Sequence, residues 1–258
     1  MFIQSAVHFK NLGLVITDEQ HRFGVEQRGI LAGKGMKPHT LVMSATPIPR
    51  TLALIIYGDL EISVLDELPK GRIPIRTYGV DTSYRERLYK FIRKYVANGF
   101  QAYIVCPVID ESASEKVSAV KYFSEISEKY FSDIPLGLLH GKMKKKEKDA
   151  VMQAFKDNEI KVLVSTTVIE VGVDVPNAVV MVIENAEQFG LSQLHQLRGR
   201  VGRGNEQSHC ILVTDNKSEY TRARIDTMVR TSNGFEIANE DLRLRGPGDF
   251  FGAKQHGL

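Results

Sequence analysis

The chain has few cysteines for its 258 residues, since Cys106 and Cys210 are the only two. Two thiols are too few for a disulfide framework or for a metal cluster held by cysteines. Each thiol lies in an apolar run of the sequence. We therefore expect buried structural thiols in a reducing compartment.

Long apolar runs are also missing from the chain. The most apolar window, 162–183, is interrupted by Glu170, Asp174 and Pro176, so the sequence predicts no membrane span. The first ten residues lack the charged, apolar and small-residue layout of a signal peptide. A cytoplasmic protein without a membrane partner is the expectation.

Neither sign of charge is in large excess. The sequence has 34 Lys+Arg against 31 Asp+Glu, for a net charge of +3. This balance permits a nucleic-acid partner without arguing for one. A hydrophobic content of 43% and a charged content of 25% are typical of a soluble globular protein. No repeat period and no dependable sign of oligomerisation are present.

Short apolar runs alternate with helical patterns, which indicates an α/β protein with parallel sheets flanked by helices. In the first part of the chain we predict strands near 12–17, 40–44 and 61–65, and helices near 25–33 and 48–57. The segment 66–75 contains Pro69, Gly71 and Pro74 and is the best candidate for a linker. The alternation then restarts, with strands predicted near 75–80, 101–106, 136–139, 161–165, 178–183 and 208–213, and helices near 84–97, 115–130, 144–157 and 190–198.

These patterns predict three parts of the chain. Residues 1–74 have too few strands for a whole domain and are expected to be the C-terminal part of a first domain. Residues 75–215 are complete enough to form a second domain. The remaining 216–258 begin with a helical pattern over 217–230 and are expected to be a truncated tail.

Two adjacent carboxylates, Asp18 and Glu19, follow the apolar run Leu14, Val15 and Ile16. At the carboxyl end of a parallel strand, such side chains project into the crevice where α/β sheets bind ligands. Because like charges repel, a divalent cation would offset the cost of placing them together. The alternative is a solvated acidic turn.

A second polar segment, Ser44–Ala45–Thr46, follows the next predicted strand and precedes Pro47. Its hydroxyl groups suit a hinge that hydrogen-bonds carboxylates on a neighbouring strand. The alternative is an ordinary strand-to-helix connection in which Thr46 caps the helix and a proline occupies its first turn.

Three arginines, Arg198, Arg200 and Arg203, lie within six residues and are separated by Gly199 and Gly202. Clustered guanidinium groups suit an anion, and an arginine supplied by a second domain can neutralise a transferring γ-phosphate. The alternative is a basic surface patch.

The polar run at 165–174 follows another predicted strand and contains Thr167, Gly172 and Asp174. Its hydroxyl and backbone amide groups can hold a phosphate backbone, and Asp174 can accept a hydrogen bond from a ribose hydroxyl. The alternative is a polar loop between two core strands.

Taken together, the order and spacing of these segments resemble helicase superfamily 2. DEQH at 18–21, SAT at 44–46, STTVIEVGVDVP at 165–176 and QLRGRVGR at 196–203 are similar to its motifs II, III, V and VI. Further segments resemble the RecG family of bacterial ATP-dependent DNA helicases, namely DEQHRFGVEQR, SATPIPRTLAL, DELPKGRIPI, HGKM and LRGPGDFFGAKQHGL. The transcription-repair coupling factor shares PIPRT and GRVGR, but it is expected to differ where Gln20 and His21 stand here.

The resemblance implies tandem RecA-like sheets, a C-terminal helical hairpin followed by a loop, and roles for individual residues. Asp18 would hold Mg²⁺ through water and Glu19 would activate the water that attacks ATP. His21 would couple the nucleotide site to DNA, and Ser44 and Thr46 would link the two domains.

Other roles are implied for the second half of the chain. Gly172 and Asp174 would lie near the nucleotide, and Arg200 and Arg203 would be arginine fingers. The partner would be branched or duplex DNA, at stalled forks and Holliday junctions during recombination and repair. Its expected contacts are Arg50, His140, Thr167, Arg243 and Arg245.

One family feature is missing from the 258 residues, the phosphate-binding loop G-x-x-x-x-G-K-[ST]. The Gly33–Lys34 and Gly141–Lys142 pairs are not followed by Ser or Thr. We therefore expect a C-terminal fragment of a RecG protein that does not hydrolyse ATP alone. A non-catalytic DNA-binding module and a structural remnant without either activity stay open as alternatives.

Overall fold

The computed structural model describes residues 2, 4–18, 30–31, 33–44, 61–65, 67, 71–107, 115–166 and 174–245. Contacts between Cα atoms divide the chain into two compact units, Met1–Ile48 and Pro49–Leu258. The three domain ranges expected from the sequence stay a prediction.

The first unit contains a parallel pair of strands, β1 (Leu14–Thr17) and β2 (His39–Val42). Leu14 pairs with His39 and Thr17 with Val42. The backbone N–H of Met43 donates to the carbonyl of Thr17 at 2.8 Å, which extends the pairing by one residue. The strands predicted near 12–17 and 40–44 are therefore confirmed. The helix predicted near 48–57 and most of that near 25–33 lie outside the described residues.

The second unit alternates strands and helices along the chain. Its elements are β3 (Arg76–Val80), α1 (Arg85–Ala97), β4 (Gln101–Val105), α2 (Glu115–Tyr130), β5 (Leu136–Leu139), α3 (Lys145–Lys156), β6 (Val162–Ser165), β7 (Ala178–Ile183), α4 (Leu191–Arg198), β8 (His209–Val213), α5 (Glu219–Arg230) and α6 (Gly234–Arg245). Short 3₁₀ turns cover Thr82–Tyr84 and Ala186–Gln188.

The six strands of this unit form one sheet in the order β3-β8-β7-β4-β6-β5, and every pair is parallel. The sequences of β4, β6, β7 and β8 are nearly continuous apolar runs, and all their residues are buried. Strands covered on both faces need such runs rather than an alternating pattern. Two apolar clusters fill the two faces. The expectation of a parallel α/β fold is confirmed.

The last two described helices, α5 and α6, pack against each other and against α4 and β3 of the same unit. Ser218 caps α5, because its hydroxyl oxygen accepts a hydrogen bond from the backbone N–H of Thr221 at 3.2 Å. A Cβ atom at Gly79 of β3 would overlap Cγ2 of Ile225, so glycine is what lets α5 approach the sheet. The tail is thus helical where it is described, and its two helices share the core of the sheet domain.

The strand predicted near 61–65 is wrong. These five residues have no regular secondary structure, and Leu65 is 94% exposed. The alternation of Ile62 and Val64 with polar neighbours indicated a strand, but a strand forms only where a neighbouring backbone accepts and donates its hydrogen bonds. Sequence alternation carries no information about that neighbour.

Both cysteines are buried and free, as expected. Burial raises the pKa of the Cys106 and Cys210 thiols to about 12, so neither thiol is ionised near neutral pH. Among the described helices, none has the length and apolar character needed to cross a bilayer.

Candidate nucleotide and DNA site

The two predicted arginine fingers lie in the turns that follow α4. The helix ends at Arg198, and the backbone N–H of Arg200 donates to the carbonyl of Leu197 at 3.0 Å. The guanidinium of Arg203 reaches Asp174, with 3.2 Å between Nη1 and Oδ1. The structure therefore brings together Arg203 and Asp174, which were expected to lie near the same nucleotide.

The charges of Arg200 and Arg203 both act on Tyr103 of β4. Burial raises the pKa of the Tyr103 phenol to about 12, and the positive charges of Arg200 and Arg203 oppose that rise. The two arginines therefore contribute positive charge to the same region of the second unit.

The loop that carries Arg203 depends on a glycine with left-handed backbone. Gly202 has φ +78°, and a Cβ atom there would lie 2.7 Å from Cγ1 of Ile75. Nε of Arg72 donates to the carbonyl of Gly202 at 3.1 Å, and Nε2 of Gln207 donates to the carbonyl of Pro74 at 2.8 Å. Two hydrogen bonds therefore connect the end of the predicted linker to residues 199–207, which follow α4 and are called the arginine loop here.

The third arginine of the cluster, Arg198, is a buried structural residue. It is 3% exposed, and Nη1 donates to the carbonyl oxygens of Met228 at 2.8 Å and Thr231 at 3.0 Å. Nη1 also reaches Oγ1 of Thr77 at 3.4 Å. The interpretation that all three arginines bind an anion is wrong for Arg198, because its guanidinium is buried and donates hydrogen bonds to acceptors of the protein itself.

His195 completes the surroundings of Arg198. Nη2 of Arg198 lies 3.0 Å from Nδ1 of His195, so Nδ1 must be the unprotonated acceptor, since a guanidinium only donates. Burial and the charge of Arg198 lower the pKa of His195 from its ordinary value of 6.5 to about 4. The imidazole is neutral at physiological pH.

This lowered pKa predicts a pH-dependent loss of stability. Between pH 6.5 and about 4, His195 is protonated in the unfolded state but neutral in the folded state. The free energy of unfolding therefore falls as the pH falls through this window. Urea unfolding of the chain at several pH values would measure it. His195→Gln keeps an acceptor for Arg198 and removes the titration, so its stability should fall less. If the free energy of unfolding falls equally with pH in the unmodified chain and in His195→Gln, the prediction is contradicted.

Two buried polar groups lie at the carboxyl ends of β5 and β6. His140 follows β5 and is 8% exposed, and Thr166 follows β6 and is 1% exposed. The backbone N–H of Thr166 donates to the carbonyl of Leu139 at 3.1 Å, so the two residues are neighbours. Among the described residues, neither Nδ1 of His140 nor Oγ1 of Thr166 has a hydrogen-bond partner. A buried polar atom without a partner costs free energy, which points to a ligand at this edge.

A buried network at the end of β7 was missed by the sequence analysis. Glu184 is 2% exposed, and it accepts hydrogen bonds from Nη2 of Arg85 and from the Tyr122 hydroxyl, both at 2.9 Å. Tyr89 extends the network, since its hydroxyl lies 3.0 Å from that of Tyr122. The available signal was a carboxylate directly after the six apolar residues of β7.

Two other predicted residues lie in the first unit, at the carboxyl ends of β1 and β2. Asp18 follows Thr17 directly, and Ser44 comes two residues after Val42. Because the strands are parallel neighbours, the two residues end at the same edge. Glu19, His21, Thr46, Arg50, Thr167 and Gly172 lie outside the described residues, so their predicted roles stay predictions.

The predicted DNA contacts of the tail lie at the end of α6. Arg243 is exposed, and its Nε donates to a carboxylate oxygen of Glu240 at 3.0 Å. This bond holds the pKa of the Glu240 carboxyl below its usual range. Arg245 is the last residue of the helix. The pair with Glu240 uses Nε and Nη2 of Arg243, so a DNA contact would use the remaining N–H groups of the guanidinium.

Comparison with a protein-family model defines the class of the second unit. Residues 84–205 match the helicase conserved C-terminal domain. A solved structure of S. cerevisiae Dbp5 bound to RNA and ADP BeF3 is 17% identical, with a TM-score of 0.57, and covers 92% of this chain and 59% of its own. At that identity the likeness concerns the fold alone. The sheet with its arginine loop is thus a helicase C-terminal domain.

Closer relatives identify the family. The chain is 57% identical to "ATP-dependent DNA helicase RecG" of Synechocystis sp. and 54% identical to that of Bacillus subtilis, in both cases over 99% of the chain. A structure of RecG bound to a three-way DNA junction shares 50% identity and a TM-score of 0.79 over 96% of the chain and 32% of its own. The chain belongs to the RecG family, as the sequence motifs predicted. It spans only 31% and 38% of those two curated relatives.

Proposed function

We propose that the protein containing this chain is an ATP-dependent translocase of double-stranded DNA that remodels branched DNA in recombination and repair, in the cytoplasm. The observation that carries the proposal is the arginine loop of the helicase domain, where the guanidinium of Arg203 meets Asp174 at 3.2 Å. The relatives named as RecG helicases, and the RecG structure with a three-way junction, support DNA as the partner.

The proposed cofactors are ATP and Mg²⁺. Carboxylate oxygens are ligands that Mg²⁺ prefers, and it is usually held by one or two carboxylates together with waters and substrate phosphates. Asp18, at the carboxyl end of β1, supplies such an oxygen and would hold the ion through water. Bound Mg²⁺ would neutralise charge on the phosphates of ATP. Glu19, the next residue, would take the proton from the attacking water.

The second domain would contribute its arginines to the same reaction. Arg200 and Arg203 would neutralise the charge on the transferring phosphoryl group, and Gly172 and Asp174 would lie beside the nucleotide. Asp174 accepts a hydrogen bond from Arg203 in this structure. His21, Ser44 and Thr46 would connect nucleotide binding to the two domains and to DNA.

DNA contacts are proposed at the carboxyl edge of the sheet and in the tail. The buried atoms without partners at His140 and Thr166 support the edge, where Thr167 would also contact the backbone. Arg50, Arg243 and Arg245 would add contacts elsewhere on the duplex. Such phosphate contacts make affinity fall with added salt.

A second function is favoured for the 258 residues by themselves. Because they contain no G-x-x-x-x-G-K-[ST] loop, backbone groups that would cradle the β- and γ-phosphates are missing from this stretch. The chain alone would then bind branched or duplex DNA without turnover.

One experiment tests both proposals. The whole parent protein and the 258-residue polypeptide are each given ATP, Mg²⁺ and a three-way junction, and phosphate release and strand separation are measured. We expect turnover and remodelling from the parent and no DNA-stimulated turnover from the polypeptide. Glu19→Gln is the control and should abolish turnover by the parent. Turnover by the polypeptide that disappears in its Glu19→Gln variant would contradict the second proposal, and a parent protein without DNA-stimulated turnover would contradict the first.

A further inference from the structure

Five lysines are concentrated where β5 leads into α3, and they are called the lysine cluster here. It consists of Lys142, Lys144, Lys145, Lys146 and Lys148. Against these stand Glu147 and Asp149, so residues 142–149 carry a net charge of +3, as large as that of the entire chain. All but Lys148 are exposed. A short surface segment beside the sheet thus carries a large excess of positive charge.

The position of the lysine cluster is unfavourable for the fold itself. Lys144 is the N-cap residue of α3, and Lys145, Lys146 and Lys148 lie at its start, where the helix dipole and the unpaired backbone N–H groups favour negative charge. Glu147 is the acidic residue of that turn, and its carboxylate accepts a hydrogen bond from the backbone N–H of Lys144 at 2.9 Å. Within the described part of the chain no carboxylate forms an ion pair with any of the five ammonium groups. Local stability does not explain the cluster.

An independent observation points to a ligand beside the same segment. β5 is one of the two edge strands of the described sheet. His140 lies at its carboxyl end, and Thr166 lies at the carboxyl end of β6. Each is more than nine-tenths buried, and in the described structure neither Nδ1 of His140 nor Oγ1 of Thr166 finds a partner. The backbone N–H of Met143 donates to the carbonyl of His140 at 3.2 Å, so a tight turn joins this histidine to the lysines. Polar atoms without partners and an excess of cations therefore meet at one place.

We propose that the lysine cluster is a binding surface for the phosphodiester backbone of duplex DNA, which it holds against the carboxyl edge of the sheet. The inference rests on the proposed DNA translocase function and adds a contact surface to it. Five cations within residues 142–148 exceed what one phosphate group neutralises, whereas a duplex presents one negative charge per about 1.7 Å of its axis. A mononucleotide would leave most of the cluster without a partner.

The test replaces three exposed lysines in the parent protein, Lys142→Gln, Lys145→Gln and Lys146→Gln together. Glutamine keeps helix propensity and length while it removes the charge. Binding to a fluorescent three-way junction is measured between 50 and 300 mM salt. We expect the slope of log K against log salt to become shallower by about 2.7, and the affinity near 0.15 M salt to fall about 100-fold.

A matched control removes the same charge elsewhere on the domain. The control variant also replaces three exposed lysines, on α1 and at the far end of α3, namely Lys90→Gln, Lys94→Gln and Lys156→Gln. It should leave the slope of log K against log salt nearly unchanged. Equal losses in both triple variants would show a general effect of net charge and overturn the inference. An unchanged slope in the cluster variant, or a raised KM for ATP with unchanged DNA affinity, would also overturn it. If the unmodified protein binds DNA without salt dependence, the proposed function itself fails.

Discussion

Replacing Arg203 by alanine in the parent protein is expected to lower the ATPase rate at saturating ATP and DNA by about 10³-fold. The physical reason is the position of its guanidinium, which is 35% exposed and, among the described residues, bound only to a half-exposed carboxylate, Asp174, and weakly to the Gly199 carbonyl. An exposed pair of this kind contributes little to stability, so the guanidinium can turn to a phosphate at small cost. DNA affinity, measured on the same junction, should change less than threefold.

Two further variants make this prediction specific. Arg203→Lys keeps the charge but loses the planar fork, so it should recover only a small part of the rate. Arg87→Ala removes another exposed arginine, on α1, and should leave the rate within a factor of two. Equal losses of ATPase and of DNA affinity in Arg203→Ala would argue for a basic patch rather than for an arginine finger.

Replacing Arg198 by alanine should destabilise the chain by about 4 kcal/mol, because hydrogen bonds to charged groups are worth more than neutral ones and buried acceptors are left without a donor. The guanidinium satisfies the carbonyls of Met228 and Thr231 and Nδ1 of His195. Burial lowers the pKa of Arg198, yet a guanidinium stays protonated in proteins. Urea unfolding of the chain would measure the loss as a lower midpoint.

The control for Arg198 is another arginine of the same unit. Arg222 lies on the exposed side of α5, and its replacement by alanine should change the free energy of unfolding by less than about 0.5 kcal/mol. Arg198→Lys should recover little stability, since a single ammonium cannot reach acceptors on α4, on α5 and after α5 together. A loss below about 1 kcal/mol in Arg198→Ala would mean that water replaces the guanidinium.

The second unit was well predicted from the sequence because its signals are local. Apolar runs such as Val162–Ser165 and Ala178–Ile183 are too short for helices and too uniform for half-exposed strands. The strand order was not predictable in this way, since pairing depends on contacts between residues far apart in the chain. The error at 61–65 has the same origin, because its alternating pattern says nothing of a partner strand.

The candidate site was predictable only as a set of motifs. Arg198, Arg200 and Arg203 look alike in the sequence, but Arg198 is buried against backbone carbonyls while Arg203 is exposed beside Asp174. Spacing alone does not separate a structural arginine from a reactive one. The network of Glu184 was not predicted, because its partners Arg85 and Tyr122 are distant in sequence and contact Glu184 only in the folded chain.

The position of β3 in the sheet also has a consequence for the synthesis of the protein. β3 is the first strand of its domain to leave the ribosome, but in the described sheet its neighbour is β8, the last, and Arg76 pairs with His209 about 130 residues later. At the usual speed of translation, roughly 10 s pass before that neighbour exists. During this time the backbone N–H and C=O groups of β3 lack their partner strand and can pair with other chains. We therefore expect aggregation or chaperone binding to be most frequent in nascent chains that end before β8.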